Sequence, residues 1–317
     1  MEFKSLFTTS FFADIQKSRD ETDLPHVTFL LCGILTALIT IFFIGFIFQN
    51  AYPTFENQGL INFLTGNKWS YTDGVYGVRI FLLGTIIITF LTMIMAVPLG
   101  IFTAIYLAEY ASEKTANMIR PFVELLVGIP SVVYGIFGFL ILSNLFREYI
   151  EPAISNNLGF ISIFYDTSPT SGTSILLAST ILTIMILPTI VSISEYAMRS
   201  VPKEYSQGSF AMGTTHWETI RNIVLPTASG GIYSSIILGM MRAMGETMAV
   251  VMVVGILTKV PNSIFSGGYP MTSKILNDIG YHVAIPEHKS ALCAVAAVLF
   301  ALEILFVAIA RKMGGNK

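Results

Sequence analysis

Six mainly apolar stretches, Val27–Phe48, Arg79–Ala108, Arg120–Phe146, Ser174–Met198, Thr227–Leu257 and Ser290–Ala310, leave this chain few ways to fold. Each is long enough for an α-helix to cross a hydrocarbon core of about 30 Å, which takes about 20 residues. None alternates polar and apolar residues in the manner of an outer-membrane strand. Backbone in lipid must satisfy its own hydrogen bonds, so the expected fold class is an all-α membrane protein with six transmembrane helices. The charge content agrees: 12% of residues are charged and 53% hydrophobic, whereas a soluble domain carries roughly 25% charged residues.

An even number of spans places both termini on one side. Lys4, Lys17, Arg19, Lys114, Arg120, Arg199, Lys203, Arg221, Arg311, Lys312 and Lys317 fall in one set of ends and loops, and Lys68, Arg79, Arg147, Lys259, Lys274 and Lys289 in the other. The richer set is expected in the cytoplasm. The chain then divides into a cytoplasmic tail over 1–26, a first span and external loop over 27–78, a core over 79–311 and a short cytoplasmic tail over 312–317. Phe3, Phe7, Phe11 and Ile15 recur every four residues in the first tail, which suits an interfacial helix or a disordered tail with a few aromatics. No apolar core of signal-peptide length precedes the first charges, so a cleaved leader is not expected. The outward loops, about 49–78, 147–173 and 258–289, are the longer ones. Tyr52, Trp69, Tyr71 and Tyr76 near span ends suit an aromatic belt.

Several classes of function fall away. A net charge of -2 with no basic run gives nucleic acid nothing to bind. Cys32 and Cys293 lie within apolar stretches, where they pack rather than bridge, and His26, His216, His282 and His288 are scattered without ligand spacing. No Gly-x-x-x-x-Gly-Lys-Ser/Thr loop occurs, so no cofactor is expected in this chain, and any ATP and magnesium belong to a partner ATPase. Pro98, Pro130 and Pro188 fall inside expected spans, with Gly100 and Gly128 nearby; proline deletes a helix donor, so these spans are kinked or broken.

Two polar features interrupt the apolar pattern. In Gly239-Met-Met-Arg242-Ala-Met-Gly245-Glu246-Thr247, helical spacing lines up Ser235, Gly239, Arg242, Glu246 and Ala249 on one face. An arginine at the bilayer centre costs roughly 2.5–3.5 kcal/mol on the lenient insertion scale, so this face must meet the bundle or an aqueous path. It is either an anion site, using the fixed planar fork of the guanidinium, or a structural ion pair between helices. Glu124 and Glu303 are expected to face the bundle interior, within reach of Arg242 or a backbone donor. Glu195 is expected near the membrane interface.

The second feature is the polar island 207–226 inside the 199–226 loop. Tyr205 to Met212 suits a short helix, Gly213 its stop, and Thr214 or Thr215 the cap of a second helix ending before Leu225-Pro226. Ala211, Met212 and Trp217 would form an apolar tip for a groove on a partner. Ordinary loop capping accounts for the same residues.

The spacing from Gly213 through nine residues to Ile223, then one residue to Leu225-Pro226, resembles the signature loop of permease subunits in binding-protein-dependent ABC importers. That pattern opens with Glu-Ala-Ala, where this chain has Gln207, Gly208 and Ser209. Gly128-Ile-Pro-Ser-Val-Val-Tyr-Gly135, Val201-Pro-Lys-Glu-Tyr205 and Arg242-Ala-Met-Gly-Glu-Thr-Met-Ala249 are similar to phosphate-importer permeases of the PstC type, over most of the chain from about Arg79. The resemblance implies a non-enzymatic transport subunit in a cell membrane. Its implied partners are a homologous permease, two ATPase subunits docked at 207–226, and an extracytoplasmic phosphate-binding protein. It assigns phosphate passage to Arg242 and Glu246, and Ser235 and Thr247 are placed along the same path. A permease for sulfate or molybdate, and an ATP-independent anion carrier or channel, stand as alternatives; the latter leaves the capped hairpin unexplained.

Overall fold

The structure is a computed structural model and describes residues 24–165 and 172–314. The stripe of Phe3, Phe7, Phe11 and Ile15 lies outside the described residues. Among the described residues, six helices are long and apolar enough to cross a membrane: Val27–Gln58, Arg79–Tyr110, Ser131–Leu158, Ile175–Arg199, His216–Gly245 and Pro286–Lys312. The expected number of spans is therefore found, with altered boundaries.

In chain order, α1 (Leu24–Gln58) leads through α2 (Leu60–Thr65) to a hairpin of β1 (Trp69–Ser70) and β2 (Val75–Tyr76), antiparallel with Trp69 opposite Tyr76. Then come α3 (Arg79–Tyr110), α4 (Glu113–Gly128), α5 (Ser131–Leu158) and α6 (Ile175–Arg199). The chain continues through α7 (Lys203–Ala211), α8 (His216–Gly245), α9 (Met248–Val253), α10 (Met271–His282) and α11 (Pro286–Gly314).

The stretch expected as one span over Arg120–Phe146 is two helices. Residues before proline avoid the α region, and Ile129 is extended at φ -75, ψ 125, so α4 stops at Gly128 and Pro130 begins the next helix. The freed length moves onward, and α5 takes in residues to Leu158 that were expected in an outward loop. Thr227–Leu257 is likewise divided, because α8 stops at Gly245 and Glu246 is extended at φ -68, ψ 132.

The middle of the bundle is α6, with 72% of its apolar window buried against 44% for α3. Lipid tails are as apolar as leucine, so helices in a membrane gain by close backbone approach at small residues. Ile190 of α6, wholly buried, is held between two glycines. A Cβ on Gly100 of α3 would come within 2.6 Å of its Cγ2, and one on Gly239 of α8 within 3.0 Å of its Cγ1. Hydroxyls add a ladder between α3 and α6: Thr92 donates to the Ser179 carbonyl, Ser179 to Ile88, and Thr183 to Thr92, each at 3.4 Å. By contrast α1 presents most of its length outward, with Phe29 74% exposed, and packs on α11.

At the end of the bundle that carries the β-hairpin, Trp69, Tyr71 and Tyr76 are drawn into a cluster rather than spread as a belt. Trp69, Tyr71, Phe81 and Tyr269 surround the Lys274 ammonium at 4.7, 5.4, 5.2 and 5.7 Å. Lys274 pairs with Asp278 at 2.6 Å, and Tyr71 also donates to Asp278. Burial holds the Lys274 ammonium below its ordinary pKa, with Asp278 opposing the shift. The same desolvation, reinforced by Asp278, raises the Tyr71 phenol. Tyr52 alone of the four expected belt residues is well exposed, at 61%.

Candidate functional site

The polar stripe on the fifth span is not one continuous helical face. Arg242 lies in the last turn of α8, whereas Glu246 lies beyond the helix end, so the expected one-turn relation is replaced by a break. Glycine at 245 and the extended Glu246 end the helix. The Glu246 carboxylate then accepts from the Thr247 and Ala249 amides at 3.2 and 3.3 Å, serving the start of α9. Its carbonyl accepts from the Thr272 hydroxyl of α10 at 3.1 Å, and the Thr247 hydroxyl covers the Gly245 carbonyl at 3.2 Å. Non-helical backbone at membrane depth persists where protein or a watery cavity satisfies it, as these contacts do.

Arg242 is half-buried and makes no hydrogen bond or ion pair among the described residues. The expected Glu partners lie elsewhere. Glu124 is exposed on α4, and Glu303 is half-buried on α11. Ser235 is fully buried, donating to the Ile232 carbonyl and meeting the Ser194 hydroxyl of α6 at 2.7 Å, a contact between helices.

The other interruption is closed by Tyr134, on the first turns of α5, whose hydroxyl donates to the Leu126 carbonyl of α4 at 2.9 Å. Gly135 packs against Ala249 and Met252, which seats the start of α5 on α9. The helix that starts after the first break thus packs on the helix that starts after the second. Tyr134 carries no sequence signal beyond its motif, because its partner carbonyl is anonymous.

At the opposite end from the β-hairpin, 203–219 forms the expected helical hairpin. Gly213 turns the chain at φ 85, a conformation that costs L-residues energy. Thr215 caps α8 in a reciprocal box: its amide donates to Glu218 at 2.8 Å, and its hydroxyl accepts from the Glu218 amide at 3.3 Å. Three hydroxyls bind the arms together, Ser209 to Thr214 at 2.7 Å, Ser209 to Thr219 at 3.0 Å and Thr214 to Thr219 at 2.9 Å. Ser209, at a position where the family pattern has alanine, is therefore a buried link. Gln207 and Gly208 are exposed, as are Ala211, Met212 at 84% and Trp217 at 48%, while Ile220 and Val224 anchor the base in a core with Ala104, Ile105 and Met198. His216 reaches Glu109 of α3 at 3.8 Å and sits edge-on to Tyr110.

The second arm does not end before Leu225-Pro226. It runs on into the membrane through a π turn at Ile220–Val224, with the Leu225 amide bonded to the Ile220 carbonyl. The wider turn lets Pro226, which brings no amide, sit inside a continuous helix. Ile223 and Leu225 are half-buried, and Pro226 is exposed.

Close by, Glu195 proves buried at 6% exposure. It takes Arg120 of α4 at 2.7 Å and Arg199 at 3.4 Å. The Glu195–Arg199 spacing is visible in the chain; the partner 75 residues away is not.

Comparison with known proteins places this architecture. Residues 96–313 match the model of the binding-protein-dependent transport system inner membrane component. A phosphate transport system permease protein PstC from Pasteurella multocida is 33% identical over 90% of this chain and 86% of its own. A probable ABC transporter permease protein YqgH from Bacillus subtilis is 36% identical over 81% and 78%. A chain of a solved bacterial ABC transporter involved in import of the acidic polysaccharide alginate shares the fold at TM-score 0.56 and 17% identity, covering 97% of this chain and 99% of its own. This multi-pass membrane chain, with its hairpin and its interrupted helices, belongs to the family of binding-protein-dependent transport system inner membrane components.

Proposed function

We infer that this chain is a permease subunit of an ATP-driven phosphate importer. The observation that carries the reading is Arg242: a half-buried guanidinium without a partner, at a break in membrane helices, in a chain 33% identical to a phosphate permease over 90% of its length. A guanidinium offers two parallel donors to a tetrahedral oxyanion and stays charged throughout, so it can offset the charge of phosphate stripped of water. Glu246 shapes the break by holding the Thr247 and Ala249 amides, and Thr247 lies next to it on the path.

The lysine and arginine distribution supports placing both termini and the 203–219 hairpin in the cytoplasm. There the exposed Met212 and Trp217 offer an apolar tip to one of two ATPase subunits, where ATP and magnesium would bind. A homologous second permease would complete the path, and an extracytoplasmic phosphate-binding protein would deliver cargo to the outward loops.

The test is uptake by the assembled complex in vesicles with phosphate, sulfate and molybdate compared. ATP-dependent uptake of phosphate in preference to the other two, abolished by Arg242→Gln at unchanged protein level, is the expected result. Preference for sulfate or molybdate would overturn the substrate, and uptake without ATP would overturn the class.

A further inference from the structure

Lys289, near the start of α11, turns in an unusual direction for a lysine at the end of a membrane span. Ser290 beside it is fixed opposite Thr54 of α1 by a hydroxyl contact of 2.8 Å. The Lys289 ammonium nevertheless lies 5.4 Å from the centre of the Phe46 ring, eight residues back along α1, or about 12 Å of helix closer to the middle of that span. Long cationic side chains at span ends ordinarily reach outward, keeping the head in water while the stem covers apolar surface. This one turns toward hydrocarbon, half-buried, and forms no ion pair among the described residues. The ring face attracts the ammonium but leaves its N–H donors without an acceptor.

Lys289 opens into a hollow of about 680 Å³ between α1 and the start of α11, with Phe46 and Asn50 on one wall. A second hollow, of about 310 Å³, adjoins it on the side of the β-hairpin and shares Pro53, Pro286 and Ser290 with the first. Its lining brings the opposite charge, the exposed Glu287 carboxylate, which has no ion pair among the described residues. Two further oxygens of residues in that lining lack a hydrogen-bond partner: the Tyr76 hydroxyl, and Gln58 Oε1, whose amide nitrogen already donates to the Gly74 carbonyl at 3.3 Å. One hollow thus offers a cation and the other offers acceptors. Toward the middle of the span, past Phe46, α1 exposes Phe42 and Phe43.

We propose that the joined hollows seat the headgroup of a phospholipid carrying a primary amine, with its phosphodiester on Lys289, its amine at Glu287 and Gln58, and an acyl chain along Phe42 and Phe43. The order of the parts follows the groove. In such a lipid the phosphate lies between the chains and the amine, as the Lys289 ammonium lies between the exposed phenylalanines and Glu287. Inorganic phosphate would satisfy the lysine alone and leave the apolar wall and the carboxylate unused. A primary ammonium brings three N–H donors to the waiting acceptors, and a quaternary amine brings none.

The experiment places the complete complex in vesicles of equal phosphatidylethanolamine, phosphatidylcholine and phosphatidylglycerol, and identifies by native mass spectrometry the lipids retained on this subunit. Wild type is expected to retain phosphatidylethanolamine about tenfold over phosphatidylcholine, the scale of one hydrogen bond to a charged group. Glu287→Gln should remove that preference while phospholipid stays bound. Lys289→Gln should lower retention of all three lipids about tenfold, and Lys289→Arg should keep it. Where Lys289→Gln fails to fold, Glu287→Gln and Lys289→Arg carry the test. Equal retention of the three lipids by wild type, a preference that survives Glu287→Gln, or displacement of the lipid by millimolar inorganic phosphate overturns the proposal. Phosphate uptake enters none of these readouts, so the outcome is independent of the reading of Arg242.

Discussion

Replacing Gly213 probes the hairpin through its backbone alone. A Cβ built there meets no atom within 4 Å, so a side chain has room, yet φ is 85. An L-residue in that region costs roughly 1–2 kcal/mol, less for asparagine and more for a β-branched residue. Against this stand three hydroxyl contacts among Ser209, Thr214 and Thr219, each worth about 0.5–1.5 kcal/mol net, and the turn bonds from the Met212 and Gly213 amides to Ser209 and Phe210. Gly213→Ala should thus weaken the turn about 5- to 30-fold without opening it. Thr214→Val in addition removes two of the hydroxyl contacts and should open it. Hydrogen exchange at the Met212 and Gly213 amides reads the turn directly, and ATP-dependent phosphate uptake reads its consequence. The expected order of protection and of uptake is Gly, then Asn, then Ala, then Val. Equal protection in Gly213→Val and wild type would refute the backbone argument. Full uptake in a variant whose turn has opened would refute the hairpin as the coupling element.

Three further outcomes follow from packing and charge. Glu195→Gln leaves two arginines facing each other without their carboxylate; with Arg120 27% and Arg199 45% exposed, the loss should be about 1–3 kcal/mol, seen as a lower unfolding temperature in detergent. Lys274→Met leaves Asp278, 14% exposed, with Tyr71 alone and should cost about 2–4 kcal/mol, while adding Asp278→Leu should restore part of it by removing the unpaired carboxylate, the Tyr71 hydroxyl then losing its acceptor. Gly100→Ala drives a methyl to 2.6 Å from Ile190 and should cost about 1–3 kcal/mol by thermal unfolding, with Ile190→Ala on the same background recovering part of the loss.

The spans and the hairpin could be read from the chain because their causes are local: long apolar runs, and Gly213 before a Thr-x-x-Glu box. What escaped depended on partners far along the chain or on groups without a letter of their own. Arg242 and Glu246 look like a helical pair until Gly245 ends the helix and the carboxylate turns to the next amides. Ser235 looks like part of a polar face until Ser194 arrives from α6. Trp69, Tyr71 and Tyr76 look like a belt until Lys274, some 200 residues later, gives them a cation to enclose. Pro130 announced a discontinuity, but a backbone carbonyl awaiting a tyrosine hydroxyl leaves no mark in the residue pattern.

The glycine contacts about Ile190 also bear on how such a bundle moves. With the side chain wedged against backbone on both sides, α3 and α8 cannot slide past α6 without lifting off it, so these three helices travel as one block. Bending must then fall where the hydrogen-bond ladder is already interrupted, at Ile129-Pro130 and at Glu246-Thr247. The second joint directly follows the last turn of α8, which carries Arg242, so a bend there would move the guanidinium with the helix end.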